Sequence, residues 1–173
     1  MLSLSDNEFS VLGFLVRNFA EKLTIRSIAQ RLNFSAAGVF NILKKLEKNG
    51  IVTGEKLGTG LFYSINFENK VAAHLAAIGL LVSDDKFEKL DLEKLKQAKA
   101  AIFDKKTLIL VTDSVTTVEA EIPNVSVIVK TEEELMQLFR KKNPDVLQVL
   151  KKGIVLFGEE HVVEIIKNCV SRF

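Results

Sequence analysis

Residues 24–50, TIRSIAQRLNFSAAGVFNILKKLEKNG, decide how the rest of the chain is read. Ile25, Ile28, Ala29 and Leu32 recur at helical spacing and make one apolar stripe, and Thr24 stands where an N-cap hydroxyl belongs. After a short turn a second helix is punctuated in the same way. Ser35 can cap it, Val39, Ile42, Leu43 and Leu46 form its inner stripe, and Asn49-Gly50 ends it. Lys44, Lys45 and Lys48 load its C-terminal half. Its outward face opens on the small or polar residues Ala36, Ala37, Gly38 and Asn41, with Phe40 the exception. A helix that enters a major groove about 12 Å wide needs slender residues at its N-terminal end, a hydrogen-bonding side chain one turn on, and flanking cations for phosphates. This helix meets those requirements. The alternative is an ordinary helical hairpin whose lysines keep its outer face solvated.

The flanks fit the first reading. Residues 6–20 predict a preceding helix with Phe9, Leu12, Leu15, Val16 and Phe19 on one face and a capping box made by Ser5 and Glu8. After Gly50, Ile51-Val52-Thr53 and the alternating segment 61–67 predict two strands around the Gly-rich tip 54–60. The whole has the layout of a winged helix-turn-helix. The wing tip carries Lys56 and Thr59, and its glycines either let the backbone approach a phosphate or only supply turn geometry.

Residues 5–68 resemble the winged-helix domains of prokaryotic, particularly archaeal, transcription regulators. The resemblance rests on Leu23-Thr24-Ile25-Arg26-Ser27-Ile28-Ala29, Leu32-Asn33-Phe34-Ser35, the run 39–46, Lys48-Asn49-Gly50-Ile51-Val52 and Tyr63-Ser64-Ile65-Asn66. It implies that Arg26 and Lys44 hold phosphates, that residues 36–41 approach base edges, and that Lys56 touches the DNA backbone from the wing. The candidate DNA-contacting residues are Arg26, Ser35, Ala36, Ala37, Phe40, Asn41, Lys44, Lys45, Lys48, Lys56 and Thr59. Ala36-Ala37-Gly38 departs from the commoner polar residues and leaves few base-reading groups.

Composition agrees without deciding. The chain has 173 residues, 47% apolar and 27% charged, as ordinary globular proteins do, and a formal net charge of only +2. Residues 1–70 hold nine Lys and Arg against six Asp and Glu, and the remainder 15 against 16, so the positive excess lies on the N-terminal part. The single cysteine, Cys169, excludes an intramolecular disulfide and fits a reducing cytosol, where its place on an apolar stripe predicts a small buried hydrophobe. The first residues show no basic region followed by an apolar core and cleavage site, so no signal peptide is expected, and the longest apolar run, 71–82, is broken by His74 and too short to span a bilayer. A cytoplasmic protein with no membrane association is expected.

The Ala- and Leu-rich segment from Lys70 to Leu81 predicts a helix that either pairs with a second copy or packs back on its own domain. Neither His74 on this segment nor His161 suggests a metal site, since they are the only histidines and lie far apart in sequence. Farther on, residues 92–103 predict a helix with Leu92, Leu95, Ala98 and Ile102 on its face. The runs 107–112, 125–129 and 154–157 predict buried strands. Helices are expected from Thr131 to about Lys142, from Asn143-Pro144 to Lys152, and at the end of the chain with Val162, Ile166, Cys169, Val170 and Phe173 on one face.

This order, with Lys152-Gly153 and Gly158-Glu159 around the last strand, resembles the C-terminal portion of minimal nucleotidyltransferase-like domains that archaeal genomes fuse to winged helices. Active members carry a Gly-Ser pair and an Asp-x-Asp pair that holds two metal ions; metal-assisted phosphoryl transfer needs such clustered carboxylates. Neither pair occurs in the chain, Asp113 is the only acid near a fitting position, and Lys105-Lys106 stand where the Gly-Ser pair belongs. No phosphate-binding loop, dinucleotide fingerprint or nucleophile elbow is present either. Asp113, Glu121 and Lys130 lack the acid two residues before the Lys that a nuclease metal site wants.

The expected architecture is therefore an α+β winged helix-turn-helix followed by a small α/β domain with one sheet. Its expected parts are a DNA-binding domain over 1–68, a connecting or dimerisation helix over 69–90 and an α/β nucleotidyltransferase-like domain over 91–173. The expected function is a transcription regulator, not an enzyme, with double-stranded DNA as partner, no cofactor and a homodimeric state. The silent second domain would serve dimerisation, partner binding or a small-molecule or protein effector. The competing reading is a nucleotide-binding enzyme or toxin-antitoxin component with the winged helix as accessory, and a third leaves the winged helix for protein contacts only.

Overall fold

The computed structural model describes residues 3–81, 95, 97–113 and 122–170. Contacts divide the chain into two units, Met1–Val82 and Ser83–Phe173. The first unit begins with α1 (Asp6–Arg17), where the Ser5 backbone N–H donates to the Glu8 carboxylate at 2.7 Å, the reciprocal half of a capping box. The helix stops at Arg17 rather than at Ala20 because Asn18 takes the C-cap position and turns its side-chain amide back onto the Phe14 carbonyl at 2.8 Å. In α2 (Ile25–Leu32) the Thr24 hydroxyl accepts from the Ser27 N–H at 3.2 Å, and in α3 (Ala36–Lys48) Ser35 accepts from the Gly38 N–H at 3.0 Å. Between these helices Asn33 adopts a left-handed φ of 56°, which Asn tolerates better than branched residues and which turns the chain from one helix into the other.

The wing is an antiparallel pair, β1 (Val52–Leu57) and β2 (Gly60–Ile65), registered from Val52 opposite Ile65 to Leu57 opposite Gly60. The core-facing residues Val52, Tyr63 and Ile65 are buried, and the Tyr63 N–H donates to the Leu23 carbonyl at 2.8 Å, which ties the hairpin to the start of α2. The side-chain amides of Asn66 and Asn69 both donate to the Gly50 carbonyl, at 2.9 and 3.0 Å, and so fasten the hairpin exit to the end of α3. Leu12, Leu15, Ile28, Leu43, Leu46 and Ile51 fill the space between these elements without exposure to solvent above 2%.

The apolar helix α4 (Lys70–Leu81) lies along α1 within this unit. The two meet backbone to backbone: a Cβ built on Gly13 would overlap the Gly79 carbonyl, and one built on Gly79 would come to 2.7 Å from the Gly13 nitrogen. Arg17 reaches from α1 to the C-terminal turn of α4, its Nη2 donating to the Leu80 carbonyl at 2.9 Å, where a cation also meets the negative end of the helix dipole. Burial pulls its guanidinium below the ordinary value. The opposite face of α4 leaves Val71, Ile78 and Leu81 exposed. Residues 82–90 of the expected connecting segment lie outside the described residues.

The second unit is a four-stranded sheet in the order β5-β4-β3-β6, built from β3 (Ala100–Phe103), β4 (Thr107–Thr112), β5 (Ser126–Thr131) and β6 (Ile154–Phe157). The helix expected over 92–103 is corrected here: Ala100–Phe103 is a central strand, antiparallel to both β4 and β6. Four consecutive apolar residues bury equally well on both faces of a strand, so helical periodicity could not identify them. Asp104 makes the turn by accepting from the N–H groups of Lys106 and Thr107 at 3.1 and 2.8 Å, which folds β3 onto β4. Residues 92–94 and 96 of that expected helix lie outside the described residues.

Helices α5 (Glu132–Arg140), α6 (Pro144–Lys152) and α7 (Glu159–Val170) pack on this sheet and on one another. Thr131 caps α5 and Asn143 caps α6, each accepting from the N–H three residues on, at 3.2 and 3.1 Å. Helix α5 ends at Arg140 instead of Lys142, which has a left-handed φ of 52°. One side of the sheet, Ala101, Phe103, Leu108 and Leu110, packs with Leu95, Ile122, Val127, Val129 and Leu156. Three expectations of burial fail at the margins. β5 and β6 are the edge strands, β5 with no buried residue and β6 with only Val155 buried, and Val170 on α7 is exposed although Val162, Ile166 and Cys169 are buried as expected. Phe173 lies outside the described residues.

Candidate nucleic-acid interface

Helix α3 is divided lengthwise. Val39, Leu43 and Leu46 are buried without measurable exposure, while Ala36, Ala37, Phe40, Asn41, Lys44 and Lys48 form an exposed ridge on the other side. Ser35, which caps the helix, is also exposed. Within the ridge the Lys44 ammonium sits 5.8 Å from the centre of the Phe40 ring, a cation–π contact that keeps the lysine close to the helix axis. Arg26 is exposed on the first turn of α2, and Lys56 and Thr59 are exposed on the wing. Among the described residues Arg26, Lys44, Lys48 and Lys56 have no carboxylate partner.

Lys45 is placed differently from the other lysines of α3. Its ammonium lies 2.7 Å from the buried Glu8 carboxylate and donates to the Ser3 carbonyl at 2.7 Å, so it fastens α3 to the start of α1. Burial works to raise the Glu8 carboxyl, but Lys45 and the Ser5 N–H outweigh it and hold the group below its ordinary value of 4.5. A carboxyl lowered in the folded state gives stability that is complete above the unfolded value and lost as pH falls through the folded one. Lys45→Met is therefore expected to cost about 1–2 kcal/mol near neutral pH, the loss of a charge-assisted hydrogen bond with a partly exposed partner. The difference from the parent chain should narrow as pH drops below 4.5, which urea midpoints measured across that range would show.

The wing is held to the same helix. Glu47 on α3 accepts from the Gly54 N–H at 3.1 Å, and burial, then the Glu47 carboxylate, push the Tyr63 phenol above its ordinary 10.0. Lys22 pairs with Glu55 across the outer side of the hairpin at 3.3 Å, an exposed bridge of small energetic weight. Arg31, also near this surface in sequence, is occupied: it bonds Glu21 and Asn18 and stacks 4.8 Å from the Phe14 ring. Leu57 and Leu61 at the wing's far end are exposed apolar residues that alternation alone did not mark.

The second unit carries a separate polar cluster that only the sheet order assembles. Lys99 before β3, Asp113 after β4, Glu132 at the start of α5 and His161 in the first turn of α7 meet at one end of the sheet. Lys99 lies 2.6 Å from Asp113 and 3.4 Å from Glu132, and His161 Nδ1 lies 3.1 Å from Glu132. The bond to Asp113, with Glu132 adding to it, holds the Lys99 ammonium above its ordinary value. The carboxylates here face a cation of the chain itself, and among the described residues no group of three His, Cys, Asp or Glu is arranged to hold a metal ion. Of the nuclease-like trio, Lys130 faces Glu134 at 3.9 Å and Glu121 lies outside the described residues. Burial pushes the Cys169 thiol up to about 11, and its Sγ donates to the Met136 carbonyl at 3.4 Å, so it stays protonated and packs as a small hydrophobe.

Among the described residues no helix is long and apolar enough to cross a membrane. Residues 2–59, from ahead of α1 to the tip of the wing, match the model of the MarR family, winged-helix transcription regulators that bind DNA. No curated protein matches the chain.

Proposed function

We propose that the chain is a DNA-binding transcription regulator in which α3 enters the major groove, with Arg26, Lys44, Lys48 and Lys56 on phosphates and the 36–41 segment on base edges. The observation that carries this reading is the division of labour among the lysines of α3. Lys45 is bound to Glu8, whereas Lys44 and Lys48 stand on the outward ridge beyond Ala36, Ala37 and Asn41. Small residues first, an amide one turn on and, after them, cations without a carboxylate partner among the described residues suit a helix that lies in a groove walled by phosphates. The family match over the same residues supports it.

A regulator of this kind presents two copies of α3 to a two-fold site, and the exposed Val71, Ile78 and Leu81 of α4 supply apolar surface that pairing of two chains would cover. The second unit is assigned assembly or effector binding in this proposal, because the carboxylates of its charged cluster, Asp113 and Glu132, are turned onto Lys99 of the chain itself. Two substitutions test the assignment of α3. Lys44→Ala is expected to weaken binding to all duplexes alike and to lower the log-log salt slope by about one. Asn41→Ala is expected to cost about 1–3 kcal/mol on a preferred sequence while leaving non-specific binding unchanged, so that preference falls. Anisotropy titrations on selected and random duplexes read both; equal, sequence-independent behaviour of the two variants would contradict the placement of α3.

A further inference from the structure

The ridge of α3 has a chemical bias that a groove-reading helix need not have. Of its base-facing positions, Ala36, Ala37 and Phe40 offer only carbon, and Asn41 alone offers hydrogen bonds. Phe40 is 46% exposed, unusual for so large an apolar side chain, and nothing in the N-terminal half of α3 carries a guanidinium. Guanine in the major groove is read best by Arg or Lys on its O6 and N7, and adenine by Asn or Gln on its N6 and N7. Thymine is marked off by its 5-methyl group, which calls for apolar contact from Ala or Phe. Lys44, one turn beyond Phe40 and about two turns beyond Ala36 and Ala37, has its ammonium 5.8 Å from the centre of the Phe40 ring.

We infer that α3 selects A·T pairs by burying thymine 5-methyl groups against Phe40, Ala36 and Ala37, with Asn41 taking an adjacent adenine. This inference rests on the reading of α3 as the groove-entering helix. Lys44, Lys48 and Arg26 around the apolar ridge, without a carboxylate partner among the described residues, match the charge of a duplex, which is why DNA is its occupant rather than an apolar protein surface. Each methyl contact removes roughly one carbon group's worth of surface from water, which corresponds to about 4-fold in affinity. Two such contacts per chain give about 15-fold.

The test uses the intact chain and synthetic duplexes that differ only in that methyl. Binding is measured by anisotropy at low salt to an alternating A·T duplex, the same duplex with deoxyuridine for thymidine, an alternating G·C duplex, and the last with 5-methylcytosine. The expected order places A·T first, about 4- to 15-fold above its uridine form, and 5-methylcytosine above plain G·C. Phe40→Ala, at an exposed position that leaves the core untouched, should shrink the thymine-over-uracil ratio toward one. Equal affinity for the thymine and uracil duplexes overturns the methyl reading while leaving DNA binding intact. So does a thymine preference that Phe40→Ala leaves at full size, because that preference then comes from duplex shape. Failure to bind any of the duplexes overturns the inference together with the reading of α3 beneath it, and makes the ridge a protein-contact surface.

Discussion

A chain in which Arg26, Lys44, Lys48 and Lys56 are all replaced by Ala is expected to bind random duplex DNA about 10³-fold or more weakly at ~0.1 M salt, with its fold unchanged. The size follows from counterion release: each neutralised phosphate contributes roughly a factor of eight at that salt, so four contribute on the order of 10³ to 10⁴. These side chains are exposed and have no carboxylate partner among the described residues, so removing them takes little from the folded state. Lys45→Met makes the opposite comparison. Its ammonium already serves Glu8, so stability should fall and affinity per folded molecule should change little. Anisotropy for affinity and thermal melting for fold separate the two; a quadruple variant that binds like the parent would remove the electrostatic basis of the account.

Gly13→Val is expected to destabilise the first unit by about 3 kcal/mol or more. A glycine inside a helix ordinarily costs about 1 kcal/mol against Ala, so substitution of Gly13 or Gly79 would stabilise α1 or α4 taken alone. The crossing reverses that sign. A Cβ on Gly13 meets the Gly79 carbonyl and one on Gly79 meets the Gly13 nitrogen, and both obstacles are backbone, which cannot swing aside as a side chain can. Relief requires the helices to separate, which strips packing from Ala72, Ala76 and Leu80. Even Gly79→Ala should cost about 1–3 kcal/mol net, and Gly13→Val should lower the melting temperature by roughly 10 °C or more. Unchanged melting of Gly13→Val would mean that α1 and α4 do not cross at these glycines.

The first unit was legible because its signals are local. Thr24, Ser35 and Asn49-Gly50 mark helix ends within a residue or two of the groups they satisfy, and the alternation of 61–67 has the period of the strand it forms. What escaped depends on distant partners. Lys45 looks like Lys44 and Lys48 until α1 brings Glu8 to it, and nothing near Gly13 in sequence announces Gly79. In the second unit the apolar Ala100–Phe103 segment has no periodicity to read, and its identity as a strand depends on pairing with β4 and β6. The Lys99, Asp113, Glu132 and His161 cluster is invisible for the same reason, since each residue lies in or beside a different element and only the strand order gathers them.

The most direct test of the central claim is the salt dependence of binding to a random duplex, followed by fluorescence anisotropy with the intact chain. The account predicts a straight line in log affinity against log salt with a slope of about −3 to −4 per chain, from phosphate contacts at Arg26, Lys44, Lys48 and Lys56. Absence of binding even at ~20 mM salt, or a slope near zero, would contradict it.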